Sequence, residues 1–269
     1  MISVEAYMGL KIALNGAGGR MGRRIADLAA GAGHEIVAPI DHKFIGEPYG
    51  TLIGDARFRS KVVGEYTGGA DVLIDFSLPE GFRARLADCL KHNTAIVSGT
   101  TGLTADDFTG LDEAAVTIPA LWAPNMSVGV NLLFALARQA AAALPETYDI
   151  EITEMHHRRK VDAPSGTALG LLRAVCAGNG RNAQEVVKHG REGHTGERTR
   201  KEIGMHTLRG GDVVGDHTVM FATEGERIEL THKASSRDTF AGGAVRAAEW
   251  LAGKAPGLYG MNEVLGLPG

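Results

Sequence analysis

Residues 10–22 read Leu-Lys-Ile-Ala-Leu-Asn-Gly-Ala-Gly-Gly-Arg-Met-Gly, and they decide the fold. Leu10 to Asn15 is a short apolar strand. The glycine-rich turn after it opens a helix with Met21, Ile25, Leu28 and Ala29 on one face, at helical spacing. Ile36 to Ile40 is a second strand, ending at Asp41. A strand, a glycine turn, a helix and a strand, with an acid about twenty residues past the turn, form the βαβ pattern of dinucleotide binding. The effective glycines are Gly16, Gly19 and Gly22, a Gly-x-x-Gly-x-x-Gly spacing rather than the commoner Gly-x-Gly-x-x-Gly. They permit a tight turn and a close approach of pyrophosphate to the helix N-terminus. A glycine-rich turn with no ligand reads the same locally, so the rest of the chain must decide.

The alternation continues. Strands are predicted over Ala70–Phe76, Thr94–Ser98 and Val116–Ala120. Between them, Phe82, Leu86, Cys89 and Leu90 mark one helix, and Thr104 caps a shorter one with Phe108 and Leu111 inward. Strands and helices at this spacing mean a parallel sheet. Right-handed crossovers then bring Gly16–Met21, Phe76–Pro79, Gly99–Thr101 and Ala123–Met126 to one edge. Asp41 suits the hydroxyls of an adenosine ribose and disfavours a 2′-phosphate, while His42 and Lys43 counter it with positive charge. Both NADH and NADPH are therefore expected as cofactors.

Composition excludes several classes. The chain has 269 residues, 44% hydrophobic and 22% charged, with a net charge of −4. That is an ordinary globular composition, and the surface as a whole does not suit nucleic acid. No run reaches transmembrane length, so no membrane partner is expected. The start, with Glu5 and no basic apolar leader, predicts no signal peptide, and Met8 is an alternative first residue. Cys89 and Cys176, the only cysteines, read as reduced thiols of a cytoplasmic protein. The histidines lack ligand spacing, so no metal site is expected.

Ser127 opens a long helix through Leu144 that leads out of the first half. Residues 150–170 then read Ile-Glu-Ile-Thr-Glu-Met-His-His-Arg-Arg-Lys-Val-Asp-Ala-Pro-Ser-Gly-Thr-Ala-Leu-Gly. A near-alternating strand runs into His156, His157, Arg158, Arg159 and Lys160. Pro164 stops any helix before it, and Ser165 is an N-cap for the helix from Thr167. Such a basic run is commonly a solvated loop. Here it ends a strand and precedes a helix N-terminus, which attracts anions. A small dicarboxylate substrate would suit the place. Beyond it, Val186–Lys188, Gly204–Leu208, Val213–Ala222 and Ile228–Ala234 predict a mainly antiparallel sheet, and Arg191–Arg198 a mobile polar loop. Asp238 or Thr239 caps a last helix, Phe240 to Leu251.

Glu154 to Thr167 resembles the signature of the 4-hydroxy-tetrahydrodipicolinate reductase (dihydrodipicolinate reductase) family, Glu-x-His-His-x-x-Lys-x-Asp-x-Pro-Ser-Gly-Thr, at every specified position. Gly16-x-x-Gly19-Arg20-Met21-Gly22 is also how that family writes its glycine loop. The likeness spans Leu10 to about Leu265. It implies an α/β protein with a Rossmann-type domain (residues 1–128 and 241–269) and a substrate-binding and oligomerisation domain (129–240), assembled as a homotetramer. It implies NAD(P)H-dependent reduction of 4-hydroxy-tetrahydrodipicolinate in lysine biosynthesis. It assigns proton transfer to His156 and Lys160, and substrate contacts to His157, Gly166 and Thr167. Cofactor contacts fall on Gly16, Ala17, Gly18, Gly19, Arg20, Met21, Asp41, His42, Gly99, Thr100, Thr101, Ala123, Pro124, Asn125 and Met126. Two positions depart from the family: His42 stands where some members carry arginine, and Met126 where phenylalanine is usual. The competing readings are a non-catalytic nicotinamide sensor and a dehydrogenase for another small dicarboxylate.

Overall fold

A computed structural model describes residues 9–267 of the chain; the alternative starts at Met1 and Met8 lie outside the described residues. Strands and helices alternate at first: β1 (Lys11–Asn15), α1 (Arg20–Gly31), β2 (Glu35–Ile40), α2 (Tyr49–Ile53), β3 (Val72–Asp75), α3 (Pro79–His92), β4 (Ala95–Ser98), α4 (Ala105–Ala115) and β5 (Pro119–Trp122). Next come α5 (Val128–Ala143), β6 (Asp149–His156), α6 (Gly166–Asn179), α7 (Ala183–Val186), β7 (Val187–His189), β8 (Ile203–Arg209), β9 (Gly215–Thr223) and β10 (Glu226–Ala234). The chain closes with α8 (Asp238–Leu251), β11 (Gly257–Tyr259) and α9 (Met261–Leu265). Residues 128–237 form one compact unit; the stretches before and after them form another.

The first unit holds a six-stranded sheet in the order β11-β5-β4-β3-β1-β2, with every pairing parallel. Period-two alternation divides its side chains between two cores. Ile12, Leu14, Val72, Ile74 and Val97 meet Ile25 and Ala29 of α1 and Ala244 and Ala248 of α8. Ala13, Leu73 and Ile96 meet Phe82 and Cys89 of α3 and Leu111 of α4. Covered on both faces, β3 and β4 are buried throughout, which is why they read as unbroken apolar runs. The strand expected at Val116 starts three residues later. Thr104 and Asp107 close a reciprocal capping box, and α4 runs on to Ala115, leaving Val116 exposed beyond its end.

The second unit has a five-stranded sheet, β10-β9-β6-β8-β7, with α5 and α6 packed on one face over Ile150, Ile152, Val219 and Phe221. Pairing is antiparallel for β10 with β9 and β9 with β6. It is parallel for β6 with β8 and β8 with β7, so the sheet is mixed. β8 and β9, consecutive in the chain, are not neighbours in the sheet: β6 inserts between them.

Candidate active site

The site in the second unit grows out of β6. Its alternation buries Ile150, Ile152, Glu154 and His156 on one face. That face changes from hydrocarbon to acid–base groups towards its C-terminal end. Strict period two puts Glu154, not Met155, on the isoleucine side. The Glu154 side chain is fully buried. Its Oε2 receives His156 Nδ1 at 2.5 Å and Arg209 Nη1 at 2.9 Å; its Oε1 receives Arg209 Nη2 at 3.1 Å and the Ser165 N–H at 3.0 Å. Burial pushes Glu154 up, but hydrogen bonds from Arg209, His156 and Ser165 outweigh it and hold its carboxyl below the ordinary value. His156 moves down: burial dominates over the pull of Glu154.

Sheet register supplies the partners. Arg209 on β8 lies opposite His156, and His217 on β9 lies opposite Glu154. The rings of His156 and His217 meet edge-to-face, with centroids 5.1 Å apart. Burial, reinforced by His156, pushes His217 down to about 4, so it is neutral at ordinary pH. His217 Nε2 lies 3.1 Å from Ser165 Oγ, which also accepts the Ala168 N–H and so caps α6. One serine thus ties the helix N-terminus to the histidine pair.

The basic loop follows. Lys160 Nζ lies 2.8 Å from Asp162 Oδ1 and holds that carboxyl below its ordinary value. Arg158 and Arg159 are exposed. His157 is half-buried, and its Nδ1 has no partner among the described residues. Gly166 is exposed, and nothing stands within 4 Å of where a Cβ would be. Gly166 and Thr167 open α6, where first-turn N–H groups lack intrahelical acceptors. The loop therefore sets Lys160, His157 and the N-terminus of α6 beside a buried acid–base pair. The Arg191–Arg198 segment, expected to be mobile, has both arginines on Glu151.

In the first unit, Gly16 has φ +78°, and a Cβ there would stand 2.5 Å from the Phe76 carbonyl oxygen. A Cβ on Gly22 would lie 2.2 Å from the Gly16 oxygen, so α1 can approach the turn only with glycine at both places. A cavity of about 470 Å³ opens at these strand ends, lined among others by Gly16, Gly19, Asp41, His42, Phe76 and Ser77. Asp41 Oδ2 accepts the Gly18 N–H at 3.1 Å and its Oδ1 the Lys43 N–H at 3.0 Å, while the side chain of His42 is exposed. Arg20 and Met21 sit in the first turn of α1, whose N–H groups also lack helical acceptors. The glycine cradle, the cavity and the acid fit a dinucleotide.

Some expected contact residues are spent inside the fold. Ala17 is buried, its N–H on the Ile40 carbonyl and its own carbonyl on the Tyr49 hydroxyl. Thr100 Oγ1 donates to Asp75 and accepts the Ser77 N–H; the Thr100 carbonyl accepts Trp122 Nε1. Asp75 is fully buried and also takes Asn15, Ser77 and Ser98. This network holds the ends of β1, β3 and β4 together, so Thr100 shapes the loop while Gly99 and Thr101 remain accessible. Met126 is buried in the core and Ala123 nearly so, whereas Pro124 is exposed and Asn125 half-buried. The Met126 side chain is therefore not available to a ligand. Sequence reading missed Arg209 and His217 as site residues: each lies more than 50 residues from Glu154 and joins it only through register. Glu154 was missed as well, although strict alternation from Ile150 and Ile152 puts it on their face.

Comparison with known proteins places the whole chain among named relatives. Residues 10–126 match the family model for the dihydrodipicolinate reductase N-terminus, and residues 129–265 the model for its C-terminus. A 4-hydroxy-tetrahydrodipicolinate reductase of Alkalilimnicola ehrlichii is 51% identical over 267 residues, covering 97% of this chain and 100% of the relative. One from Thiobacillus denitrificans is 49% identical over 266 residues, with 97% and 100% covered. Among solved structures, a dipicolinate-bound dihydrodipicolinate reductase from Paenisporosarcina sp. TG-14 superposes with a TM-score of 0.74 at 26% identity, covering 94% of this chain and 98% of that one. No helix among the described residues is long and apolar enough to cross a membrane.

Proposed function

The chain belongs to the dihydrodipicolinate reductase family, and on that premise we propose which of its residues carry the reaction and how. The activity is nicotinamide-dependent reduction of 4-hydroxy-tetrahydrodipicolinate to tetrahydrodipicolinate, in the diaminopimelate route to lysine. Water leaves the substrate, a hydride adds to the conjugated imine, and a proton quenches the negative charge that the hydride brings. A bound nicotinamide supplies the hydride.

His156 transfers the proton, and Lys160 is a second donor. A positioned acid is worth roughly 100- to 10,000-fold in rate. Burial disfavours the His156 cation in the resting site, and the carboxylates of the substrate favour it on binding. His157 Nδ1, the Gly166 N–H and the Thr167 backbone and hydroxyl hold the substrate carboxylates at the start of α6. The observation that carries this reading is the buried Glu154–His156 pair at the end of β6, next to the cap of α6.

Residues 1–128 and 241–269 bind the dinucleotide, and residues 129–240 bind substrate and build the assembly. The glycine turn, Asp41, His42, Gly99–Thr101 and Ala123–Met126 hold the cofactor, with Thr100 and Ala17 acting through the backbone around them. Asp41 takes the adenosine ribose and His42 and Lys43 ease entry of a 2′-phosphate, so both NADH and NADPH serve. The sheet of the second unit leaves Thr153, Met155, Thr218 and Met220 half-exposed on the face away from α5 and α6, which supports a homotetramer through that face. Buried, unpaired Cys89 and Cys176 support a cytoplasmic setting.

Steady-state kinetics with His156→Ala, Lys160→Ala, Arg158→Ala and Arg159→Ala tests the site. The first two should lower kcat strongly with NADPH binding, followed by fluorescence, nearly intact. The exposed arginines should matter far less. Near-normal kcat in both His156→Ala and Lys160→Ala would sink the assignment.

A further inference from the structure

The proton on His156 has a determinable place. Three of the four hydrogen bonds to Glu154 come from groups that can only donate: Arg209 Nη1, Arg209 Nη2 and the Ser165 N–H. Such a set selects the ionised carboxylate, which is acceptor-only. The fourth partner, His156 Nδ1 at 2.5 Å, must then donate as well. The exchangeable nitrogen is therefore Nε2. Among the described residues nothing hydrogen-bonds Nε2. The space beside it is kept by Gly215, where a Cβ would stand 3.0 Å from that atom.

We propose that Glu154 is the positioning residue for proton transfer: held by Arg209 and the Ser165 N–H, its carboxylate pins the Nδ1–H of His156 and so presents Nε2 to the substrate beside Gly215. The inference rests on His156 being the proton-transfer group. Glu154 never touches the reacting atoms; it decides which nitrogen works and how readily the ring becomes a cation. The groups facing His156 are Glu154 on its own strand, Arg209 from β8, His217 from β9 and Lys160 from the following loop. Glu154 alone favours the imidazolium; Lys160 and Arg209 oppose it, and His217 is neutral. Removing the carboxylate charge therefore has one sign: the His156 titration moves to lower pH.

Two measurements test this. In the unsubstituted enzyme, two-bond 15N–1H NMR of the histidine rings, with His156 identified by the signal missing from His156→Ala, should show the neutral ring protonated on Nδ1. Neutral His156 protonated on Nε2 overturns the proposal, and this arm does not depend on a Glu154 variant that folds. In Glu154→Gln, the kcat limb that reports His156 should move to lower pH by about one unit or more. Its kcat should fall on the order of 100-fold, with KM and NADPH affinity changing little. A parental pH profile in Glu154→Gln also overturns the role of Glu154. Both of these results leave the His156 assignment standing if His156→Ala is itself inactive; a fully active His156→Ala would instead remove the premise.

Discussion

Gly204→Ala should disconnect a charge cluster that the sequence does not advertise. Gly204 on β8 lies opposite Glu151 on β6. The Glu151 carboxylate folds over the glycine, and a Cβ at 204 would stand 1.7 Å from its Oε2. In that place Glu151 gathers Arg191 Nη2 at 2.8 Å, Arg198 Nε at 2.9 Å and His206 Nε2 at 2.6 Å. Burial pushes Glu151 up, yet the hydrogen bonds from Arg191, His206 and Arg198 together hold it at about 2, against an ordinary 4.5. That difference sets a ceiling of about 3.4 kcal/mol. Solvent screening of a half-buried group reduces it to about 1–2 kcal/mol. A methyl at 204 drives the carboxylate out, so the second unit should lose about that amount near neutral pH. The folded carboxyl is depressed, so its contribution is complete above the unfolded value and is lost as pH falls towards about 2. The deficit of the variant should therefore shrink over that window. Urea unfolding followed by circular dichroism, at neutral pH and near about pH 3, measures both. A variant as stable as its parent at neutral pH, or a deficit that acid leaves unchanged, would refute the reasoning.

Ser165→Ala removes the α6 cap and leaves buried His217 without its hydroxyl partner; the combined loss should be about 2–4 kcal/mol by chemical denaturation, with KM for substrate raised. A loss no larger than that of an exposed helix substitution would show that the hydroxyl does not link the two. Asp41→Ala should weaken NADH more than NADPH, since a ribose acceptor and a repulsion of the 2′-phosphate go together; it also frees the Gly18 N–H, so both kcat/KM values should fall. An unchanged or higher NADH-to-NADPH ratio would mean that Asp41 does not read the ribose. Thr167→Val should weaken a planar pyridine dicarboxylate inhibitor by about 1.5–3 kcal/mol in competition assays, with cofactor affinity barely moved. Equal losses for inhibitor and cofactor would point to a folding defect instead.

Much was legible in the amino-acid sequence because it is local. Glycine spacing at 16, 19 and 22, the alternation of strand and helix, the Thr104 cap and the Ser165 cap all depend on residues within one or two turns of each other. The run from His156 to Thr167 is contiguous, so its chemistry and its family likeness could be read in one line. The mixed pairing of the second sheet was not legible, because neighbours in a sheet are set by which strands bury their faces together, not by chain order. β6 separates β8 from β9 for that reason. The same insertion brings Arg209 and His217 to the Glu154–His156 pair from opposite sides. It was tertiary structure, too, that spent Ala17, Thr100 and the Met126 side chain on the fold itself, since buried polar and apolar groups must find partners wherever the chain crosses. Local sequence determined which residues can do chemistry here; register and burial decided which of them are in place to do it.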